Sequence, residues 1–388
     1  MSRPRPSGVA FAILVAIAIL LLGGRAAVTV RDAETSDFRC FYEAGRIVRQ
    51  GQDPYDVATW TAATMNDPSR LPPCPRTTFA YPLWTAMVFA PISVLPIQGA
   101  IGLWEAVLLA CVLAALVMLA RAWTLGAAAP LLIGVVLWSQ PMFSAIANAQ
   151  LGPVVLLGVA GAAYALERRR TRSAGVAFLL LLLKPNMVLF VLAGLPLLAR
   201  SRAFFFSCVA LVVALFGASL VLVPSWPADL FLVITSQQLL ADRDLSTLWS
   251  LVDVLGLPAA IGLIASLVAT IAFAAAVRWR VLRPAALAAA LVAASFLITP
   301  YTRAHDELVL AACWAATLAL AERAQGSRRT ALFAGTVGIA LVLPWALTVL
   351  SLAGLPLAWY ALVPVSTAVL TAYALRDAAS SDTAQPLG

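Results

Sequence analysis

One histidine, one lysine and 11% charged residues in a chain of 388 leave little of what a soluble enzyme displays. No Cys/His spacing has the pattern of a metal site, and there is no Walker-type phosphate loop, no Gly-rich dinucleotide fingerprint after a strand and no internal repeat. Neither an obligatory metal nor a bound cofactor is expected. Cysteine is scarce as well. Cys111, Cys208 and Cys313 fall in apolar runs, where a small side chain packs well, whereas Cys40 and Cys74 fall in the first large polar stretch. A disulfide between these two is permitted if that stretch lies outside the cytoplasm.

Apolar residues are what the chain has instead: 62% are hydrophobic and the mean hydropathy is +0.93, more than one soluble core could hide. The expected fold class is an all-α polytopic membrane protein. The net charge of +8 does not point to nucleic acid, because the arginines stand in short clusters between apolar runs and read as topology signals. The start, with Arg3 and Arg5 before the run Gly8 to Leu22, also resembles a secretory signal with a cleavage site after Ala26. A retained first span is expected, since the apolar character resumes through Val30.

Placing the arginine clusters on one side gives a consistent parity. Spans are expected at about 8–30, 98–120, 126–143, 173–183, 187–199, 203–223, 330–352 and 358–375, with a fourth ending at Arg168, Arg169, Arg170 and Arg172, an eighth returning to Arg278, Arg280 and Arg283, a ninth leaving at Thr299-Pro300 and a tenth ending at Arg323, Arg328 and Arg329, roughly twelve in all. Residues 1–376 then form a single transmembrane domain with both termini cytoplasmic, and residues 377–388 a disordered tail. Outer loops are expected at 31–97, 224–256 and 300–307. Phe79 to Pro96 is apolar but short and carries three prolines, so it is read as a re-entrant or interfacial segment.

Within the first outer loop, Phe38, Phe41, Tyr42, Gly45 and Val48 recur at helical spacing, with Arg39, Glu43, Arg46 and Arg49 on the other side. Thr35 or Ser36 can cap this helix, and Gly51 with Asp53-Pro54 stops it. Asp37 then reads either as a first-turn partner of the helix dipole or as a carboxylate held at the membrane surface and available as a general base. The same parity brings Gln150, Lys184, Asp242 to Asp244 and His305 to Asp37's face of the membrane. Lys184 is a snorkelling side chain or a point charge for a phosphate. His305 is an ordinary loop histidine or a donor to a phosphate or sugar hydroxyl, and Arg303 an interfacial anchor or a cation for an anionic headgroup. Asp306 and Glu307 are expected to cap the following helix.

The order and spacing of DFRCFYEAGRIVRQGQDPYD, FAYPLWTAMVFAPISVLP, LLLKPN and ITPYTRAHDELVL resemble glycosyltransferase family 87 over about residues 35–320. The resemblance implies a GT-C type transmembrane bundle of about twelve helices with outer-face interfacial helices, and transfer of a sugar from a polyprenyl-phosphate donor. Mannose is the sugar it implies first, with an arabinofuranosyl donor as the alternative. It gives Asp37 the role of catalytic base and matches Lys184-Pro185 and Thr299-Pro300…His305 to family motifs. Lys184, His305 and Arg303 become candidates for the donor phosphate, and Tyr42, Tyr55, Tyr81, Gln150, Asn186, Asp242 and Arg243 for the substrate groove. Two departures concern specificity: Tyr81-Pro82-Leu83 stands where many members have a double proline, and His305-Asp306 where many have paired histidines. The implied partners are a lipid-linked sugar donor, a glycolipid or glycan acceptor and membrane lipids. The implied location is a bacterial plasma membrane with an extracytoplasmic active site. The rival reading, a lipid or solute transporter, would place ionisable groups near the midplane between repeats, whereas here they collect at the rims.

Overall fold

The computed structural model describes residues 6–32, 36–64, 74, 78–235, 245–279 and 282–376, and every element among them is helical. The first half runs α1 (Pro6–Arg31), α2 (Phe38–Arg49), α3 (Val57–Thr64), α4 (Leu83–Phe89), α5 (Ile97–Trp123), α6 (Ala128–Leu137), α7 (Gln140–Ala147), α8 (Gly152–Glu167), α9 (Thr171–Leu181) and α10 (Leu189–Leu198). The second half runs α11 (Arg202–Leu222), α12 (Trp226–Thr235), α13 (Leu248–Val254), α14 (Ala259–Ala276), α15 (Pro284–Ile298), α16 (Ala311–Arg323), α17 (Gly326–Val337), α18 (Leu343–Leu352) and α19 (Leu362–Arg376).

Fewer helices are long enough to cross than the twelve expected. Among the described residues six meet the length and hydropathy of a span, or seven if α6 and α7, bent by 46° at their junction, count as one. Stretches expected as separate spans, among them α8, α9 and α15, are helices of 16, 11 and 15 residues. At 1.5 Å per residue they fall short of the roughly 20 residues that about 30 Å of hydrocarbon requires. Along α15 every residue from Ala285 to Leu297 is buried, so protein and not lipid surrounds it. Its alanines let neighbouring backbones come close. The lipid-like surface is carried by α1, α11 and α14, where Leu20, Val221 and Ile271 are exposed.

The segment from Phe79 to Pro96 does not form a straight crossing. Its α4 is 7 residues long, about 10 Å, and a 3-10 turn at Ile92–Val94 follows it. It lies under α2, and Gly45 is the point of closest approach: a Cβ there would sit 2.5 Å from the Phe89 carbonyl carbon. Phe38, Phe41, Ala44 and Ile47 are buried beside it, with the Phe41 and Phe89 rings stacked at 5.1 Å. The buried stripe is thus turned slightly from the expected one. Glu43 is inside, paired with Arg46 at 2.6 Å, while Tyr42 and Val48 are only half-buried. A disulfide joins Cys40 of α2 to Cys74.

Candidate functional site

A line of polar side chains from four distant parts of the chain crosses the interior where these elements meet. Asp37 Oδ2 accepts from Gln150 Nε2, and Gln150 Oε1 accepts from Lys184 Nζ at 3.2 Å. Lys184 Nζ also donates to Asp306 Oδ1 at 2.6 Å, and His305 Nε2 stands 3.5 Å from the same oxygen. The other Asp306 oxygen accepts from the Arg303 backbone N–H at 3.1 Å. Lys184 is 1% exposed and Asp306 0%, so this ion pair is desolvated on both sides. Burial works against the Lys184 ammonium, but the adjacent Asp306 carboxylate reverses the sign and the pKa is raised. The tyrosine ring of Tyr81, 5.9 Å from Nζ, adds a cation–π contact.

Local structure explains why each group stands where it does. Helix α2 begins at Phe38, so Asp37 occupies the capping position just before the first turn. Its carboxylate makes no cap to the helix amides and is engaged by Gln150 instead. Thr35, one of the expected caps, lies outside the described residues. Gln150 follows Ala149, whose φ of +49° closes α7 in a left-handed turn. Trp104 Nε1 holds that turn by donating to the Ala149 carbonyl at 2.9 Å. The end of α1 reaches the same place through Thr29, whose hydroxyl lies 3.3 Å from the Ala147 carbonyl. Lys184 sits in the break after α9, where Trp84 and Thr85 of α4 donate to the carbonyls of Leu182 and Leu183 at 2.7 and 3.0 Å. Arg303 and His305 open a 3-10 turn at Ala304–Leu310, and Gly152 lies so close that a Cβ would sit 3.2 Å from the His305 carbonyl oxygen. Asp306 does cap this turn, as expected, and its second contact, to Lys184, is one that spacing did not reveal.

Two cavities meet at this line. One of about 100 Å³ is lined by Phe41, Phe79 and Tyr81 together with Lys184 and Gln150. The other, of about 230 Å³, is lined by Gln140, Ser144, Asn148, Ser246 and Tyr360. Asp37, Arg303 and His305 line both. Asp37 therefore presents a half-buried carboxylate between an aromatic chamber and a polar one. Only its Oδ2 has a hydrogen-bond partner among the described residues.

Of the remaining candidates, Tyr81 lines the aromatic chamber. Tyr55 and Asn186 brace it from behind: the Tyr55 hydroxyl donates to the Tyr81 carbonyl, and Asn186 Nδ2 donates to the Tyr301 carbonyl at 2.6 Å. Burial pushes the Tyr55 phenol well above its ordinary pKa, so it stays a donor. Tyr42 turns elsewhere and donates to the Leu95 carbonyl at 2.9 Å. Asp242 and Arg243 lie outside the described residues. The polar chamber's Gln140, Ser144, Asn148, Ser246 and Tyr360 were not singled out from sequence, since isolated polar residues in apolar runs carry no spacing signal.

The model of one protein family, described as Glycosyltransferase family 87, matches residues 79–300, more than half of the chain. The match includes Tyr81, Gln150, Lys184 and Asn186, while Asp37, Arg303 and His305 lie beyond its ends. No curated protein and no solved structure matches the chain.

Proposed function

The chain belongs to glycosyltransferase family 87 and is a membrane glycosyltransferase, and from that premise we propose that it moves mannose from a polyprenyl-phosphate donor to a glycolipid or glycan acceptor on the extracytoplasmic face. The observation that carries this reading is the carboxylate of Asp37 in the wall common to two cavities, with Arg303 and His305 in the same wall. The aromatic chamber suits the donor sugar, whose apolar ring faces pack on Phe41, Phe79 and Tyr81, and the polar chamber suits an acceptor rich in hydroxyls.

In this scheme Asp37 takes the proton of the acceptor hydroxyl as its oxygen attacks the anomeric carbon. The bond from that carbon to the phosphate oxygen breaks, and polyprenyl phosphate leaves with the electron pair. The leaving group is already ionised and needs electrostatic stabilisation rather than a proton: we assign the charge to Arg303 and a hydrogen bond to His305, whose imidazole burial holds neutral with a pKa lowered to about 4. Lys184 acts through the paired Lys184–Asp306 unit, which fixes Gln150 and through it the Asp37 carboxylate. A single displacement inverts the anomeric centre, so a β-linked donor gives an α product. The step as written uses no metal and no nucleotide.

The test is transfer of labelled mannose from polyprenyl-phosphate mannose by the purified protein, with donor binding measured in parallel. Asp37→Asn is expected to bind donor as wild type does and to lose at least 100-fold in transfer, the usual worth of a positioned base. Equal transfer by both proteins removes Asp37 as the base. Failure of wild type with mannose but success with an arabinofuranosyl donor keeps the reaction and changes the sugar.

A further inference from the structure

Far from the reacting groups, α8 carries the chain across to a second feature. Its first turn touches the site and its last leads into Arg168, Arg169, Arg170 and Arg172, so about 24 Å separate the two ends. At the arginine end a groove of about 360 Å³ opens between Met118 of α5, Leu157 and Tyr164 of α8, and Val176 and Leu180 of α9, with Arg170 at its mouth. The floor is low because of a glycine: a Cβ on Gly161 would lie 3.0 Å from the Ala177 Cβ and 3.7 Å from Met118 Sδ.

We infer that this groove seats an acyl chain of an anionic phospholipid whose phosphate is held by Arg170 and Arg172. Length, lining and charge all agree with that occupant. From Arg170 to Leu180, α9 rises about 15 Å, the depth of one leaflet of a hydrocarbon core about 30 Å thick. The wall is apolar from Val176 inward and turns polar at Tyr164, Ser173 and Arg170. All four arginines are exposed, and Arg168 lies over the Tyr164 ring at 5.4 Å. The neighbouring acid, Glu167, is already committed to the Ala285 N–H at 2.9 Å and to Arg283 at 3.7 Å, leaving the cluster's charge for an external anion. Guanidinium groups grip a phosphate through paired donors, and a choline headgroup would bring its own cation to the same place.

Native mass spectrometry of the full-length protein, titrated in detergent with phosphatidylglycerol and separately with phosphatidylcholine, tests this without reference to sugar transfer. Wild type is expected to hold phosphatidylglycerol about tenfold more tightly, and each of Arg170→Gln and Arg172→Gln to weaken it about fivefold. Val176→Trp, at a position 64% exposed, fills the groove and is expected to abolish the tight phosphatidylglycerol adduct with an unchanged melting temperature. Equal binding of the two lipids by wild type overturns the proposal, as does an adduct that survives Val176→Trp or both arginine substitutions.

Discussion

At the scale of single residues, what distinguishes this site is that the carboxylate proposed as the base is positioned by an amide and not by a charge. Gln150 joins Asp37 to Lys184, donating at one end and accepting at the other. Gln150→Leu removes both bonds while keeping most of the volume. It is expected to lower kcat about 10- to 100-fold by misplacing the carboxylate, with a smaller change in KM; unchanged kcat would show that Asp37 holds its position unaided. The Lys184–Asp306 pair behaves differently because it is desolvated. Lys184→Met alone leaves Asp306 buried without its cation and is expected to cost about 3 to 5 kcal/mol of stability. Combining it with Asp306→Leu is expected to recover most of that in thermal melts without restoring transfer. Recovery of transfer by the double variant would show that the pair serves stability only.

At the scale of elements, the site depends on α2 lying directly on α4. Gly45 permits that contact, since any Cβ would enter the backbone at Phe89 and Ala90, 2.5 to 2.8 Å away. Backbone cannot swing aside as a side-chain tip can. Gly45→Ala is therefore expected to destabilise by about 1 to 3 kcal/mol and to reduce transfer, because α4 also carries Trp84 and Thr85, the braces before Lys184. An unchanged melting temperature would mean that α2 and α4 separate at little cost. Nothing in the residue pattern identified Gly45 as a contact with backbone. Periodicity placed it on the apolar stripe, but only the crossing of two helices shows what it meets.

Across the whole molecule, the polar cluster of Asp37, Gln150, Lys184 and His305 and the arginine clusters around Arg170 and Arg328 occupy opposite ends of the helices. The 3-10 turn carrying His305 begins the span Ala304–Arg323, and its far end leads to Arg323, Arg328 and Arg329. With the site outside, Ala58→Cys in the first turn of α3 is expected to react with an impermeant thiol reagent on intact cells, and Ser327→Cys only after permeabilisation. Both positions are exposed, and the native cysteines give little background: Cys40 and Cys74 are joined, and Cys111, Cys208 and Cys313 are buried. The reverse pattern would move the proposed reaction to the cytoplasmic face.

Composition and pattern by themselves determined the helical membrane class, the family resemblance and the loops that hold the polar cluster. These follow from local chemistry: apolar runs must leave water, prolines break helices, and arginine clusters mark the ends of spans. They also located Asp37, Gln150, Lys184 and His305 at one face. The number of full spans is not fixed by pattern, because an apolar run reads the same whether protein or lipid surrounds it, and most of α8 and of α15 is packed against other helices. Whether Asp37 would cap α2 or face a cavity was likewise open in the sequence, since one residue type serves both ends. Tertiary structure decided it by bringing Gln150 to the carboxylate from 113 residues away. The same holds for Lys184, which pattern left as a snorkelling side chain or a phosphate ligand. Its pairing with Asp306, 122 residues along the chain, exists only when α9 and the 3-10 turn meet, for a buried charge takes its partner from the fold and not from its neighbours in sequence.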